Sequence, residues 1–173
     1  MAALHATAHA LRVVAITAEN FSRYGDVIEP TPDSRTAMNG ERFERFNDLA
    51  AVDVGVAGRG RPCISIARCK VATPLPYEFN LVERHPLGSQ AFLALAPFKF
   101  VVVVAPRGED VNPAELRAFM TNGRQGVNYR PGVWHLPLIA LEAGQAFIVV
   151  DRGGTGSNCD ERILSSTVTL VGD

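Results

Sequence analysis

Lysine is nearly absent from this chain. Lys70 and Lys99 are the only two among seventeen basic residues, and the rest are arginine. We read this as a compositional habit, with at most one or two of the arginines free to bind a carboxylate ligand. Neither sign of charge is in excess, since seventeen cations meet eighteen anions for a net charge of −1. That balance argues against a basic nucleic-acid surface or a polybasic membrane patch. Cysteine is scarce: Cys63, Cys69 and Cys159 are odd in number and show no C-x-x-C spacing. They support neither a disulfide framework nor a zinc knuckle, and read as small buried apolar residues. No window approaches the roughly 18 uninterrupted apolar residues of a membrane span. The N-terminus has no charged stretch ahead of an apolar run. No secretory signal is read, and the cytoplasm is the expected compartment.

What is present suits one globular domain. The chain has 173 residues, 47% apolar and 20% charged, enough to bury a core without a disulfide or metal. Residues 1–10 are Ala-rich and unpatterned and are read as a disordered tail, leaving 11–173 as the domain. A short strand is predicted over 11–16. Thr17 and Asn20 then form a capping-box pattern opening a short helix through Phe21 and Tyr24, which Gly25 stops. Residues 29–41 read as a polar loop and 55–61 as a turn cluster.

From residue 62 onward the pattern is mostly β. Over 62–70 the residues alternate, with Ile64, Ile66 and Arg68 on one face and Cys63, Ser65, Ala67 and Cys69 on the other. Runs at 81–85 and 89–95 follow. Four consecutive valines, Val101 to Val104, predict a strand buried on both faces or running between packed sheets. Residues 111–120 predict the one substantial helix, with Asn112 as N-cap and Pro113 at its first position. Further strands are predicted at 127–129, 133–141, 146–151 and 163–171. Many short strands with frequent Gly/Pro punctuation indicate a mainly β fold, a small barrel or sandwich.

Two of the four histidines, His5 and His9, fall in the tail, so His85 and His135 are the histidines of the body. Glu83 and His85 are two apart and share a side in an extended strand. Gln90 returns after the Pro86-Leu87-Gly88 turn, and His135 follows the Pro131-Gly132 bend. Two strands of one barrel could present all four side chains to one cavity. Imidazole can move a proton near neutral pH. Two imidazoles with a carboxylate and an amide oxygen could equally hold a divalent ion.

The spacing Glu83-x-His85-x4-Gln90, followed by Pro131-Gly132-x-x-His135, looks like a pair of cupin motifs. Glu83 stands for the first histidine and Gln90 for the later glutamate. The surrounding words are more specific: FSRYGDVI (21–28), ERHPLGSQAF (83–92), LRAFMTNG (116–123), QGVNY (125–129), GVWHLPL (132–138) and DRGG (151–154). Together, in order over about 11–165, they resemble the ureidoglycolate lyase family, formerly ureidoglycolate hydrolase, of allantoin and purine catabolism. The resemblance implies a cupin-type β-barrel, a homodimer, and cleavage of (S)-ureidoglycolate, a small-molecule substrate, to glyoxylate and urea.

For that chemistry we assign His85, His135 and Glu83 to catalysis. Gln90 contacts substrate or completes a metal shell with them. The ion, if one is used, is a single divalent one (nickel, manganese or zinc), and no redox cofactor is required. Arg68 and Arg152 are the candidates for the substrate carboxylate, Arg68 because it shares the Ile64/Ile66 face. Tyr129 is a candidate donor to substrate. Arg84 alternates away from Glu83 and is placed at the surface or a dimer interface. The competing reading is a non-catalytic cupin that binds or senses a small acid, because fold alone does not fix function.

Overall fold

The computed structural model describes residues 9–172. The predicted tail therefore lies outside the described residues up to position 8, while His9 and Ala10 already belong to the first strand. The strands run β1 (His9–Ala15), β2 (Gly25–Ile28), β3 (Arg35–Met38), β4 (Phe43–Phe46), β5 (Arg61–Arg68), β6 (Tyr77–Arg84) and β7 (Gln90–Ala94). They continue with β8 (Val101–Ala105), β9 (Arg117–Met120), β10 (Gly126–Tyr129), β11 (Trp134–His135), β12 (Ala146–Gly153) and β13 (Asp160–Val171). A barrel closes in the order β1-β13-β6-β11-β8-β9. A five-stranded sheet, β2-β10-β7-β12-β5, packs against it, and β3 and β4 form a separate hairpin. The fold is the mainly β, cupin-like barrel the sequence predicts. No helix among the described residues is long and apolar enough to cross a membrane.

The valine run explains how barrel and sheet join. Alternate residues of a strand face opposite ways. Val101 and Val103 enter the barrel's own core with Leu11, Trp134 and Leu170. Val102 and Val104 enter a second core with Phe119, Tyr129 and Phe147. The strand is buried on both faces because it is the wall between two cores. The same alternation separates the neighbours Trp134 and His135. Trp134 fills the barrel, and His135, in register with Val104 and Glu83, faces the second sheet.

The predicted helix over 111–120 is not there. Asn112 does cap, its Oδ1 accepting from the Ala114 amide at 3.0 Å, but only one 3-10 turn (Pro113–Glu115) follows. The chain then extends as β9, paired with β8 on one side and β1 on the other. Closure of the barrel needs that strand, and burial of Ala118 and Phe119 into the two cores outweighs local helix propensity. The loop predicted over 29–41 contains a 3-10 turn and β3. Its hairpin with β4 turns through Asn39, Gly40 and Glu41, all at positive φ. The strand predicted over 133–141 pairs only at Trp134–His135, with the Leu136 amide adding one bond to Val103 O at 2.9 Å before Pro137. The capping box is present, Asn20 N to Thr17 Oγ1 at 3.1 Å and Thr17 N to Asn20 Oδ1 at 2.9 Å, and it opens a single turn, Ala18–Phe21.

Candidate functional site

The site forms where the end of β6 meets β11, opposite β7 and β10. Glu83 and His135 are register partners across β6 and β11. His85 lies just beyond β6, and its carbonyl accepts from the Gly132 amide at 2.9 Å. Gly132 sits at φ +77°, a conformation that glycine adopts without a Cβ penalty, so the Pro131-Gly132 bend is tied directly to the His85 turn. Gly88 closes that turn. A Cβ there would lie 2.6 Å from Arg152 Cβ, so the close approach requires glycine. Gln90 and Tyr129 pair across β7 and β10.

The tautomers follow from the hydrogen bonds. His85 Nδ1 lies 2.6 Å from Asn158 O, and His135 Nδ1 lies 3.0 Å from Val133 O. A carbonyl only accepts, so both Nδ1 atoms carry hydrogen, and in the neutral rings the lone pairs are on Nε2. The two rings are 5.1 Å apart between centroids, and Tyr129 lies 4.6 Å from His135. His85 Nε2, His135 Nε2 and Gln90 Oε1 are all buried without a hydrogen-bond partner. Glu83 Oε1 is 3.4 Å from His135 Nε2. One ligand atom each from Glu83, His85 and His135 falls within 4.8 Å of the others.

Unpartnered buried acceptors are costly, and lone pairs facing each other across 3.4 Å call for a cation between them. Either a second proton on His135 or a divalent ion answers that need. Glu83, His85 and His135 are thus a group that could hold a borderline divalent ion, each imidazole oriented by a main-chain carbonyl as metal-binding histidines usually are. The Glu83 carboxyl is held below its usual range. The main cause is its contact with His135, a hydrogen bond once Nε2 is protonated, and imidazole charge adds to it against the opposing effect of burial. Tyr129 is shifted upward by burial and by the Glu83 charge, so it remains a phenol and a donor.

Glu83, His85, Gln90, His135 and Tyr129 are therefore brought together. The two arginines are not. Ile64 and Ile66 are 78% and 66% exposed, and Arg68 is exposed with them. The alternation over 62–70 is as predicted, but the face is reversed. β5 is an edge strand, and its small residues, Ala67 and neighbouring Cys69 among them, are the ones packed on the core. Arg152 is buried, but on the face of β12 opposite Phe147 and Val149. There its Nη2 donates to Gly58 O at 3.0 Å, and its stem passes Gly60 and Gly88. It staples the 55–60 loop. Arg84, expected at the surface or a dimer interface, alternates away from Glu83 as read and is half-buried. Its side chain is 16% exposed, pairs with Asp160 at 2.9 Å and lies over the Trp134 ring at 4.7 Å. Nor are the cysteines buried: Cys63 and Cys69 are half-buried and Cys159 is exposed.

Sequence reading missed the segment that opens β13. Cys159 Sγ reaches Glu83 Oε2 at 3.8 Å, and Asn158 holds His85. No local motif marks these residues. They meet the site only because β13 pairs with β6. Partial desolvation of this otherwise exposed thiol, with the charges of Glu83, Glu161 and Asp160, raises Cys159 above the ordinary thiol range.

A cupin-like barrel whose wall carries two carbonyl-anchored imidazoles and a carboxylate toward a second sheet is an enzyme-type centre for a small polar substrate. The chain belongs to the ureidoglycolate lyase family, whose model matches residues 8–171. It is 47% identical over 163 residues to a ureidoglycolate lyase of Burkholderia mallei, covering 94% of both chains. A Burkholderia cepacia ureidoglycolate lyase is 49% identical over 152 residues, covering 87% of this chain and 84% of that one. One from Stutzerimonas stutzeri is 42% identical over 163 residues, covering 94% and 95%.

Proposed function

We propose that Glu83, His85, Gln90 and His135, with Tyr129 beside them, form the centre at which this lyase cleaves (S)-ureidoglycolate to glyoxylate and urea. The observation that carries the assignment is the convergence of Glu83, His85 and His135, whose ligand atoms lie within 4.8 Å of one another, with Nε2 of both imidazoles buried and unpartnered. The substrate carbon bears a hydroxyl, a carboxylate and a urea nitrogen. Loss of the hydroxyl proton lets the C=O of glyoxylate form as the C–N bond breaks. The departing nitrogen takes up a proton and leaves as urea. No electron is transferred to any acceptor, so no redox cofactor is needed.

The residues can supply both protons' paths. His85 Nε2 is a lone pair available to take the hydroxyl proton. With Glu83 Oε1 at 3.4 Å, a proton on His135 Nε2 would be held between the two groups and available to the departing nitrogen. The Tyr129 ring packs against His135 at 4.6 Å between centroids, tilted by 31°. Gln90 is positioned to bond the substrate's polar groups. Glu83, His85 and His135 could also hold a divalent ion (nickel, manganese or zinc), with Gln90 completing its shell, and such an ion would acidify the substrate hydroxyl and seat its carboxylate. Chelation separates the two arrangements. Loss of turnover on dialysis against a chelator, restored by one of these ions, supports the ion, and unchanged turnover supports proton transfer by the side chains alone.

We also propose a homodimer, supported by the apolar outer face of β5, where Ile64 and Ile66 lie open beside the half-buried Ile148 and Val150 of β12. Three free cysteines suit a reducing compartment, and we place the protein in the cytoplasm.

A further inference from the structure

We infer that Asn158 is a positioning residue for the lyase reaction, acting through His85. The inference rests on the reading of His85 as a working group of the site. Asn158 makes two contacts of different kind. Its main-chain carbonyl accepts the His85 Nδ1 hydrogen at 2.6 Å. Its side-chain Oδ1 accepts from the Leu87 amide at 2.7 Å. The side chain thus fixes the distance between its own backbone and the 85–88 turn, and the carbonyl sets the ring. The flanking residues repeat the pattern on the same strand end: Cys159 reaches Glu83 at 3.8 Å, and Asp160 accepts from Arg84 Nε at 2.9 Å. Three consecutive residues hold three consecutive residues.

The Asn158 side chain is needed because the segment before it is glycine-rich. Gly153, Gly154 and Gly156 precede it, the latter two at φ +127° and +95°. Gly154 and Gly156 give the link from β12 to β13 more conformational freedom than other residues would, so it needs an anchor where it meets the 85–88 turn. The Asn158 Oδ1 bond is that anchor. Without it the carbonyl drifts from Nδ1, the ring loses its fixed tautomer, and Nε2 no longer faces the site in one orientation. Outer partners of this kind typically contribute 10–100-fold to activity or metal affinity. A structural role alone would change stability but leave the His85 tautomer intact.

The test compares Asn158→Ala with Asn158→Asp, which keeps an acceptor oxygen, and with His85→Ala. Asn158→Ala should lower kcat about 10–100-fold with KM within about threefold, and Asn158→Asp should restore most of it. The second readout needs no substrate. A histidine-edited proton–nitrogen spectrum of the wild type should show both imidazoles protonated at Nδ1 and slow to exchange. In Asn158→Ala the His85 signal should become fast-exchanging and tautomer-mixed. The His135 signal, held by Val133 O, is the internal reference and should not change. An unaltered His85 signal in Asn158→Ala overturns the inference, whatever the kinetics. If Asn158→Ala keeps full turnover while His85→Ala is inactive, Asn158 is not a positioning residue although His85 works. If His85→Ala itself keeps full turnover, the reading of His85 fails, and with it any positioning role through that ring.

Discussion

Both imidazoles commit Nδ1 to a main-chain carbonyl, so each has one nitrogen left for chemistry, and both of those nitrogens are buried. A hydrogen-bonded core histidine would spend both. His85→Ala and His135→Ala should each lower turnover at least about 10²-fold with the fold retained by circular dichroism, and near-normal activity would remove that residue from the chemistry. Glu83 has a pH signature. Its carboxyl titrates lower in the folded than in the unfolded chain. Its contribution to stability is therefore present above the unfolded carboxyl's range and fades as pH falls through the folded value. The stability gap between wild type and Glu83→Gln, measured by urea unfolding, should shrink on acidification from pH 7 to pH 3, and a gap independent of pH would contradict the shift. At this scale Glu83 and His85 were legible together because they are two apart in an extended stretch, and Gln90 and His135 because each follows a Pro/Gly-shaped bend. Arg68 and Arg152 were not, because alternation says which residues share a face and not which face is inside. Asn158 carried no signal, since its role depends on a partner 73 positions away.

The elements tell the same story of local pattern against tertiary demand. Val101 to Val104 read correctly because a continuous apolar strand has few places to go except between two cores. Residues 111–120 misread because a good N-cap and alanine-containing sequence describe a helix start, whereas barrel closure needs a strand between β1 and β8. Phe119 is the residue most sensitive to that difference. As a strand residue it is 3% exposed and meets the ring of Phe21 edge-on at 5.6 Å. Phe119→Ala should cost about 3–5 kcal/mol in urea unfolding; a loss below about 1 kcal/mol would contradict its place in the second core.

For the whole molecule, the barrel provides the rigid wall carrying Glu83 and His135, and the second sheet brings Gln90 and Tyr129 against it. The site exists only when both are assembled. The far side of that sheet leaves Ile64 and Ile66 open. Charging the face with Ile64→Asp and Ile66→Asp should convert a dimer to a monomer by light scattering, and a wild type that is already monomeric would remove the proposed interface. The central claim is that this centre splits a carbon–nitrogen bond by proton movement and releases intact urea. The most direct measurement is the product balance from racemic ureidoglycolate with purified protein, after subtraction of spontaneous decay, with His85→Ala in parallel. Glyoxylate and urea should appear in equal amounts from the wild type, with only background release from the variant. Ammonia in place of urea, or no product above background from the wild type, would contradict it.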